Sequence, residues 1–436
     1  MQIAASFPRY RDHDPMVPVY CLTPDLPGAI HRFYDTSPLS PSGRYLAVTQ
    51  LPDESRLPAP GEVARIIVVD LASGEQRVVA ETRGWDTQLG AQLQWGDDDR
   101  SLYFNDLDTV NWLPYGVRLD PTSGRAERLQ QTVYMVSGDG RRIVSPCLRR
   151  IARTQPGYGV VVPPQAIPRN HGASSEDGIY LTDADSGVSR LLVSIAELVA
   201  RATPRLPPRR YARGDFYLFH VKWNPRGDRL MAILRWQPHG EGGLDWIPWR
   251  FGRRHWQDRF GRLRRDMILT LHADGSHIRL ALPDRAWLRG GHHPNWCPDG
   301  ERILMNLDLH GEQTLRFVLV DHDGDRLHAL GYDLVGSGHP TLHPDGRHIL
   351  TDAYPHEPMA AGDGSSPIRW IDGQTGAERV LLRIPASPGY RGPRNELRVD
   401  PHPAWDRTFR RIVFNGCGSD GRRRVFLAEL GELLDG

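Results

Sequence analysis

HPNWCPDGERILMNL, running from His293 to Leu307, is the stretch that decides the fold. A Pro-Asp-Gly turn divides a short segment ending in tryptophan from a period-2 apolar run, the pattern of a β-hairpin. The same pattern returns as HVKWNPRGDRLMAIL from His220, HPTLHPDGRHILTDA from His339 and HPAWDRTFRRIVFNG from His402. Weaker copies begin at Ser37 (SPLSPSGRYLAV), Gln92 (QLQWGDDDRSLYF) and Thr132 (TVYMVSGDGRRIV), which makes seven units. Each unit continues with a second apolar run broken by a glycine turn, as in IIVVDLASGEQRVV or FVLVDHDGDRLHAL, so each predicts four antiparallel strands, A to D. Seven such units without a helical period between them read as all-β: a seven-bladed β-propeller of four-stranded antiparallel blades, one domain over residues 1–436.

The blades are expected at about 31–82, 90–130, 131–197, 216–283, 291–331, 337–385 and 399–433. The last unit runs out of chain before a fourth strand. Residues 1–30, and PVYCL (Pro18–Leu22) in particular, are expected to supply it and remove the open sheet edge. Trp95, Trp223, Trp296 and Trp405 share the fourth place of the repeat, where large rings are expected to pack between blades.

Composition narrows the function. The chain has 54 basic and 53 acidic residues, a net charge of +1, and no field that favours nucleic acid or an anionic membrane. All but one of the basic residues, Lys222, are arginine. Cys21, Cys147, Cys297 and Cys417 are widely spaced, which argues against a zinc ribbon or a disulfide framework and suits a reducing compartment. With no apolar stretch long enough for a signal or membrane segment, a cytoplasmic location is expected. There is no GxSxG, P-loop, strand-linked GxGxxG or HExxH motif, so serine hydrolase, NTPase, Rossmann oxidoreductase and zincin chemistries fall away.

What remains is a ring. In a propeller the A strands line the channel, so one repeat position forms a circle at one height. Counting five residues back from the turn proline or its equivalent gives Thr36, Gln92, Val133, His220, His293, His339 and His402. Four adjacent imidazoles at one level suit a divalent metal or a catalytic cluster, although a polar plug of the channel would use the same residues. Lys222 follows His220 on the same strand face, where it meets either a substrate carboxylate or a backbone carbonyl. Asp400 stands two before His402, as a metal or histidine partner or a turn residue. His292 is one step out of register and is expected to point away from the axis, as a rim residue.

The B-to-C loops rim that end of the channel, and the longest ones belong to blades three, four and six: Ser145–Gly178, 235–265 and Ala353–Ser366. They carry Arg149, Arg150, Arg235, Trp236, Trp246, Trp249 and Trp256, residues suited to gripping carboxylates and stacking on sugars.

The turns SPSGRYLAV, NPRGD, CPDGERI and HPDGRHIL resemble the TolB-type propeller repeat. The ring histidines in GHHPNWCPDG, GSGHPTLHPDGRHI and DPHPAW more specifically resemble the oligogalacturonate lyases and related propeller polysaccharide lyases, including ulvan lyases, over nearly the whole chain. That resemblance implies a divalent metal, manganese first with zinc or calcium as alternatives, and β-elimination from a uronate-containing oligosaccharide. By position His293, His339 and His402 match the ligands and His220 the base. Where the family carries His-x-His preceded by Gln in the last blade, this chain reads Leu397-Arg398-Val399-Asp400-Pro401-His402, so Asp400 or Gln92 must complete the set.

The chemistry accords with these residues: a proton α to a carboxylate leaves only if the developing negative charge is held. His220 is the expected base, Arg235 and Lys222 the charge neutralisers, and Tyr354 the acid, with Tyr158 and Tyr217 as rivals. Arg149, Arg150, Trp236 and His292 are the expected substrate contacts. A non-catalytic binding propeller and a metal-dependent sugar isomerase or epimerase are the alternatives.

Overall fold

A computed structural model describes residues 3–239, 264–331, 334–393 and 395–435. Seven antiparallel sheets follow one another around a ring, forming a seven-bladed β-propeller. The first runs from its inner strand Ala29–Ile30 outward through Tyr45–Gln50 and Ala64–Asp70 to Gln76–Thr82. The inner strands of the next five are Gln94–Trp95, Met135–Val136, Gly214–Trp223, Gly291–Trp296 and Thr341–Leu342. In the last blade Ala404–Trp405, Arg411–Cys417 and Arg423–Glu429 are followed by Val19–Cys21 from the other end of the chain, and Arg9–Tyr10 adds a fifth strand outside it. Val19 pairs with Ala428 and Cys21 with Phe426, so the ring is closed by backbone hydrogen bonds.

Local chemistry explains the pattern. In Cys297-Pro298-Asp299-Gly300 the Gly300 N–H returns to the Cys297 carbonyl at 2.9 Å, with Gly300 at φ 69, a conformation glycine adopts without penalty. The middle strands are covered on both faces by neighbouring blades, which is why runs such as Ile66–Val69 and Phe317–Val320 are apolar throughout. The repeated tryptophans join blades: the indole N–H groups of Trp95, Trp296 and Trp405 donate to Pro38 O, Lys222 O and Thr341 Oγ1, each in the preceding blade. No described helix is long and apolar enough to cross a membrane.

Candidate metal centre and catalytic pocket

The inner strands do not run straight through the channel. Register shifts interrupt the pairing between Leu218 and Val221 and between His292 and Asn295. Gln92, His293 and His402 have φ values of 60, 57 and 50, a left-handed backbone that is uncommon outside glycine. Side chains from strand B of the preceding blade take up the backbone groups left over. Asn415 accepts from His31 N at 3.0 Å, Asn105 from Val133 N at 2.7 Å and Asp352 from His402 N at 3.3 Å, while Asn306 donates to Gly338 O at 2.9 Å. A Thr, Asn or Asp six places beyond the turn glycine (Thr49, Asn306, Asp352) is the sequence signal for this brace.

Two ring histidines and Asp400 converge. His339, Asp400 and His402 are buried, and each offers a ligand atom within 4.8 Å of the others. His339 Nδ1 lies 2.9 Å from Asp352 Oδ1; because the carboxylate accepts that N–H, the Nε2 lone pair is left facing the centre. The residues fit a divalent cation: His339 Nε2 and both ring nitrogens of His402 are buried without a hydrogen-bond partner among the described residues, beside a carboxylate. Two nitrogens and an oxygen suit manganese or zinc better than calcium.

His293 is beside this group rather than in it. Its ring stacks on His339 with centroids 3.9 Å apart, so the two imidazole planes lie side by side, and its Nδ1 is 2.6 Å from Gly338 O. Gln92 Oε1 accepts from Arg32 Nε at 2.9 Å. His292 does not turn away: its ring is 4.3 Å from His293 and 6.1 Å from Tyr354. The left-handed turn at His293 breaks the alternation on which that expectation rested.

The fixed offset from the turn also missed a fifth imidazole. Ile30 pairs with Thr49 as His292 pairs with Asn306, so His31 is the residue equivalent to His293 in blade one. Arg32 to Thr36 form an insertion between it and the turn, which moved the count to Thr36. The inserted residues fill the channel. Phe33 lies 4.7 Å from His402, 5.8 Å from His339 and 5.3 Å from His220, centroid to centroid, and so separates His220 from the metal group.

The same insertion removes Lys222 as a free cation. Lys222 Nζ sits 2.9 Å from Asp35 Oδ2 and 3.0 Å from Pro294 O, with both charged side chains 1% exposed. Burial pushes the Asp35 carboxyl up, but Lys222 and Arg32 outweigh it and hold the group well below the usual carboxylate range. Replacing Lys222 with methionine leaves Asp35 in a buried site with only Arg32. We expect a loss of about 3–5 kcal/mol, read from the denaturant midpoint; an unchanged midpoint would show that the ion pair is not structural.

Arg235 is likewise committed. Its guanidinium lies over Phe219 at 3.6 Å, and its Nε is 3.0 Å from Asp266 Oδ1. Trp236 is core, donating to Tyr211 O at 3.1 Å. Arg149 donates to Ala166 O at 3.1 Å and Arg150 lies 3.6 Å from Asp177, so both brace their own loop. Trp246, Trp249 and Trp256 lie outside the described residues.

His220 lies on the other side of Phe33 from the metal group. The Tyr134 hydroxyl is hydrogen-bonded to its Nδ1, and burial, reinforced by Lys222 and Arg235, pushes its pKa well below the ordinary histidine value, so the ring is neutral. Tyr158, delivered by the blade-three loop, stands 6.4 Å from it, and Tyr354 stands 6.0 Å from His339. Tyr217 is turned elsewhere, towards Asn170 N.

Burial holds these imidazoles neutral. His31 is pushed down to about 4 and His292 to about 3, with burial the largest cause of each. The folded pKa lies below the unfolded one, so their contribution is complete above pH 6.5 and is lost as pH falls towards 4. For His31 alone this amounts to about 3 kcal/mol. The metal-free protein should therefore hold a constant denaturation midpoint above neutrality and lose stability steeply below it; a flat profile from pH 7 to 4 would contradict the neutral cluster.

Fold and site together define a seven-bladed propeller with a buried histidine and aspartate cluster packed against Phe33 in its channel. Solved structures share this fold, among them two oligogalacturonate lyases. An oligogalacturonate lyase in complex with manganese superposes with a TM-score of 0.62 at 15% identity, covering 100% of this chain and 98% of its own. The oligogalacturonate lyase of Vibrio parahaemolyticus does so with a TM-score of 0.62 at 14% identity, covering 98% and 97%. At that identity the likeness is one of fold. No family model matches this chain, and no curated protein matches it by sequence.

Proposed function

We propose that this protein is a metal-dependent lyase that cleaves short uronate-containing oligosaccharides by β-elimination. The observation that carries the reading is the buried His339, Asp400 and His402 group with unpartnered imidazole nitrogens, with His220 across Phe33 and two tyrosines nearby. The full-length likeness to oligogalacturonate lyases, one of them in complex with manganese, supports it.

His339, Asp400 and His402 would hold the metal, with Asp352 orienting His339. A bound divalent cation supplies positive charge against the developing enolate. His220 takes the proton from C5 of the uronate, the C4–O4 bond breaks as C4=C5 forms, and Tyr354 gives its proton to the departing oxygen. Phe33 and Tyr34, buried in the channel, favour short chains approaching from one face over a polymer threaded through. Four free cysteines accord with a cytoplasmic enzyme receiving imported oligosaccharides.

Incubation of the manganese-loaded protein with a panel of uronate oligomers should raise near-ultraviolet absorbance as the unsaturated product forms. A C5-epimerised product without that absorbance would mean an epimerase. No reaction with any uronate, metal bound, would overturn the catalytic reading.

A further inference from the structure

With Lys222 and Arg235 committed, the pocket still requires a cation for the substrate's carboxylate. The buried cations are poor candidates: the side chains of Arg32, Lys222 and Arg235 are 1%, 1% and 7% exposed, each against a carboxylate. Arg398 differs. It is 23% exposed and lies beside the metal group, its Nε 2.9 Å from Asp400 Oδ2.

A guanidinium has five N–H donors. In Arg398 the Nε donor goes to Asp400, one Nη1 donor to Asn395 O at 3.3 Å, and one Nη2 donor to the Tyr158 hydroxyl at 3.1 Å. One N–H on each terminal nitrogen is left without a partner among the described residues. A pair of donors on neighbouring nitrogens matches the two oxygens of a carboxylate.

The backbone carrying Arg398 is firmly held. Thr87 and Gln88 donate to Glu396 O at 2.9 and 2.6 Å, and Arg423, itself buried, donates to Leu397 O at 2.8 Å and Arg398 O at 3.2 Å. Asn415 donates to Asp400 O at 3.3 Å. The fixed backbone and the guanidinium's own bonds to Asp400 and Tyr158 together hold it in place, so little ordering is required when a ligand arrives. Asp400 and Tyr158 then hold it beside the metal group, with the Tyr158 ring 6.4 Å from that of His220.

We infer that Arg398 is the specificity residue of the pocket and grips the uronate carboxylate through its terminal nitrogens, with Asp400 and Tyr158 positioning it. The inference rests on the lyase reading above. It gives the departure Arg398-Val399-Asp400 in the last blade a purpose: one carboxylate, Asp400, serves both the metal group and the clamp.

The test compares trigalacturonate with its methyl ester, measured by calorimetry in a His220→Ala background so that turnover does not intervene. The background protein should bind the acid about tenfold or more tighter than the ester. Adding Arg398→Gln should abolish that preference while leaving ester affinity unchanged, and Arg398→Lys, which keeps the charge without the fork, should retain part of it. Preference retained in Arg398→Gln overturns the clamp and leaves the lyase reading standing. No preference in the background protein overturns the clamp and the uronate reading together. Metal content is measured in parallel: if preference falls only in variants that also lose metal, Arg398 acts through Asp400 and the clamp is overturned.

Discussion

The His402→Ala protein should emerge from manganese loading without stoichiometric metal, its affinity lowered about 100-fold or more. Loss of a residue that merely supports a ligand costs 10- to 100-fold in other metal sites, and His402 is placed as a ligand itself. Both its ring nitrogens are buried without hydrogen bonds, an arrangement costly in the absence of a ligand. Asp352→Asn should show the smaller effect of a supporting residue, because it unsettles the tautomer of His339 without removing a donor atom. Elemental analysis and calorimetric titration of both proteins supply the check. Full metal occupancy in His402→Ala would move the centre elsewhere and remove the main support for the lyase reading. His293→Ala discriminates further: a ring stacked on His339 rather than aimed with it should leave occupancy largely intact.

Replacing His220 with alanine should lower turnover by about 10²- to 10⁴-fold while metal content and melting behaviour persist. Phe33 stands between His220 and the metal group, so the two functions are separable by mutation. The ring is held neutral by burial and by neighbouring Lys222 and Arg235, which is the form able to accept a proton. Tyr134→Phe removes the hydrogen bond at Nδ1 without opening a cavity, and should cost less than His220→Ala while shifting the acid limb of the pH profile. Turnover in His220→Ala within a few-fold of the parent would transfer the base role to another group, with Tyr158 first in position.

Much of the architecture was legible because it is written in local chemistry. A turn glycine, a tryptophan and a period-2 run are each decided within a few residues, and their recurrence counts the blades. The ring histidines His220, His339 and His402 were legible for the same reason: a repeat places equal positions at equal heights. Their partners were not. Asp352 reaches His339 and the His402 backbone from a neighbouring strand, and nothing at residue 352 marks it except its distance from the turn glycine.

The misplaced residues share one cause. Strand alternation assigned His292 to the outside, but the left-handed backbone at His293 turns both imidazoles inward. A constant offset from the turn assigned Thr36 to the ring, but the five-residue insertion Arg32–Thr36 shifts the place to His31 and drives Phe33 into the channel. Both rules assume regular strands, and the functional end of the channel is where the strands are irregular.

The sequence by itself determined a seven-fold β-repeat, the level at which its histidines sit and the absence of the common hydrolase and nucleotide motifs. Tertiary structure decided which charges are free. Lys222, Arg235 and Arg398 are equivalent as letters, but Lys222 and Arg235 lie buried against Asp35 and Asp266, whereas Arg398, held by Asp400 and Tyr158, stays partly exposed beside the metal group. Ion pairing depends on groups brought within a few ångströms by folding, often hundreds of residues apart in the chain, and one-dimensional spacing carries no record of that distance.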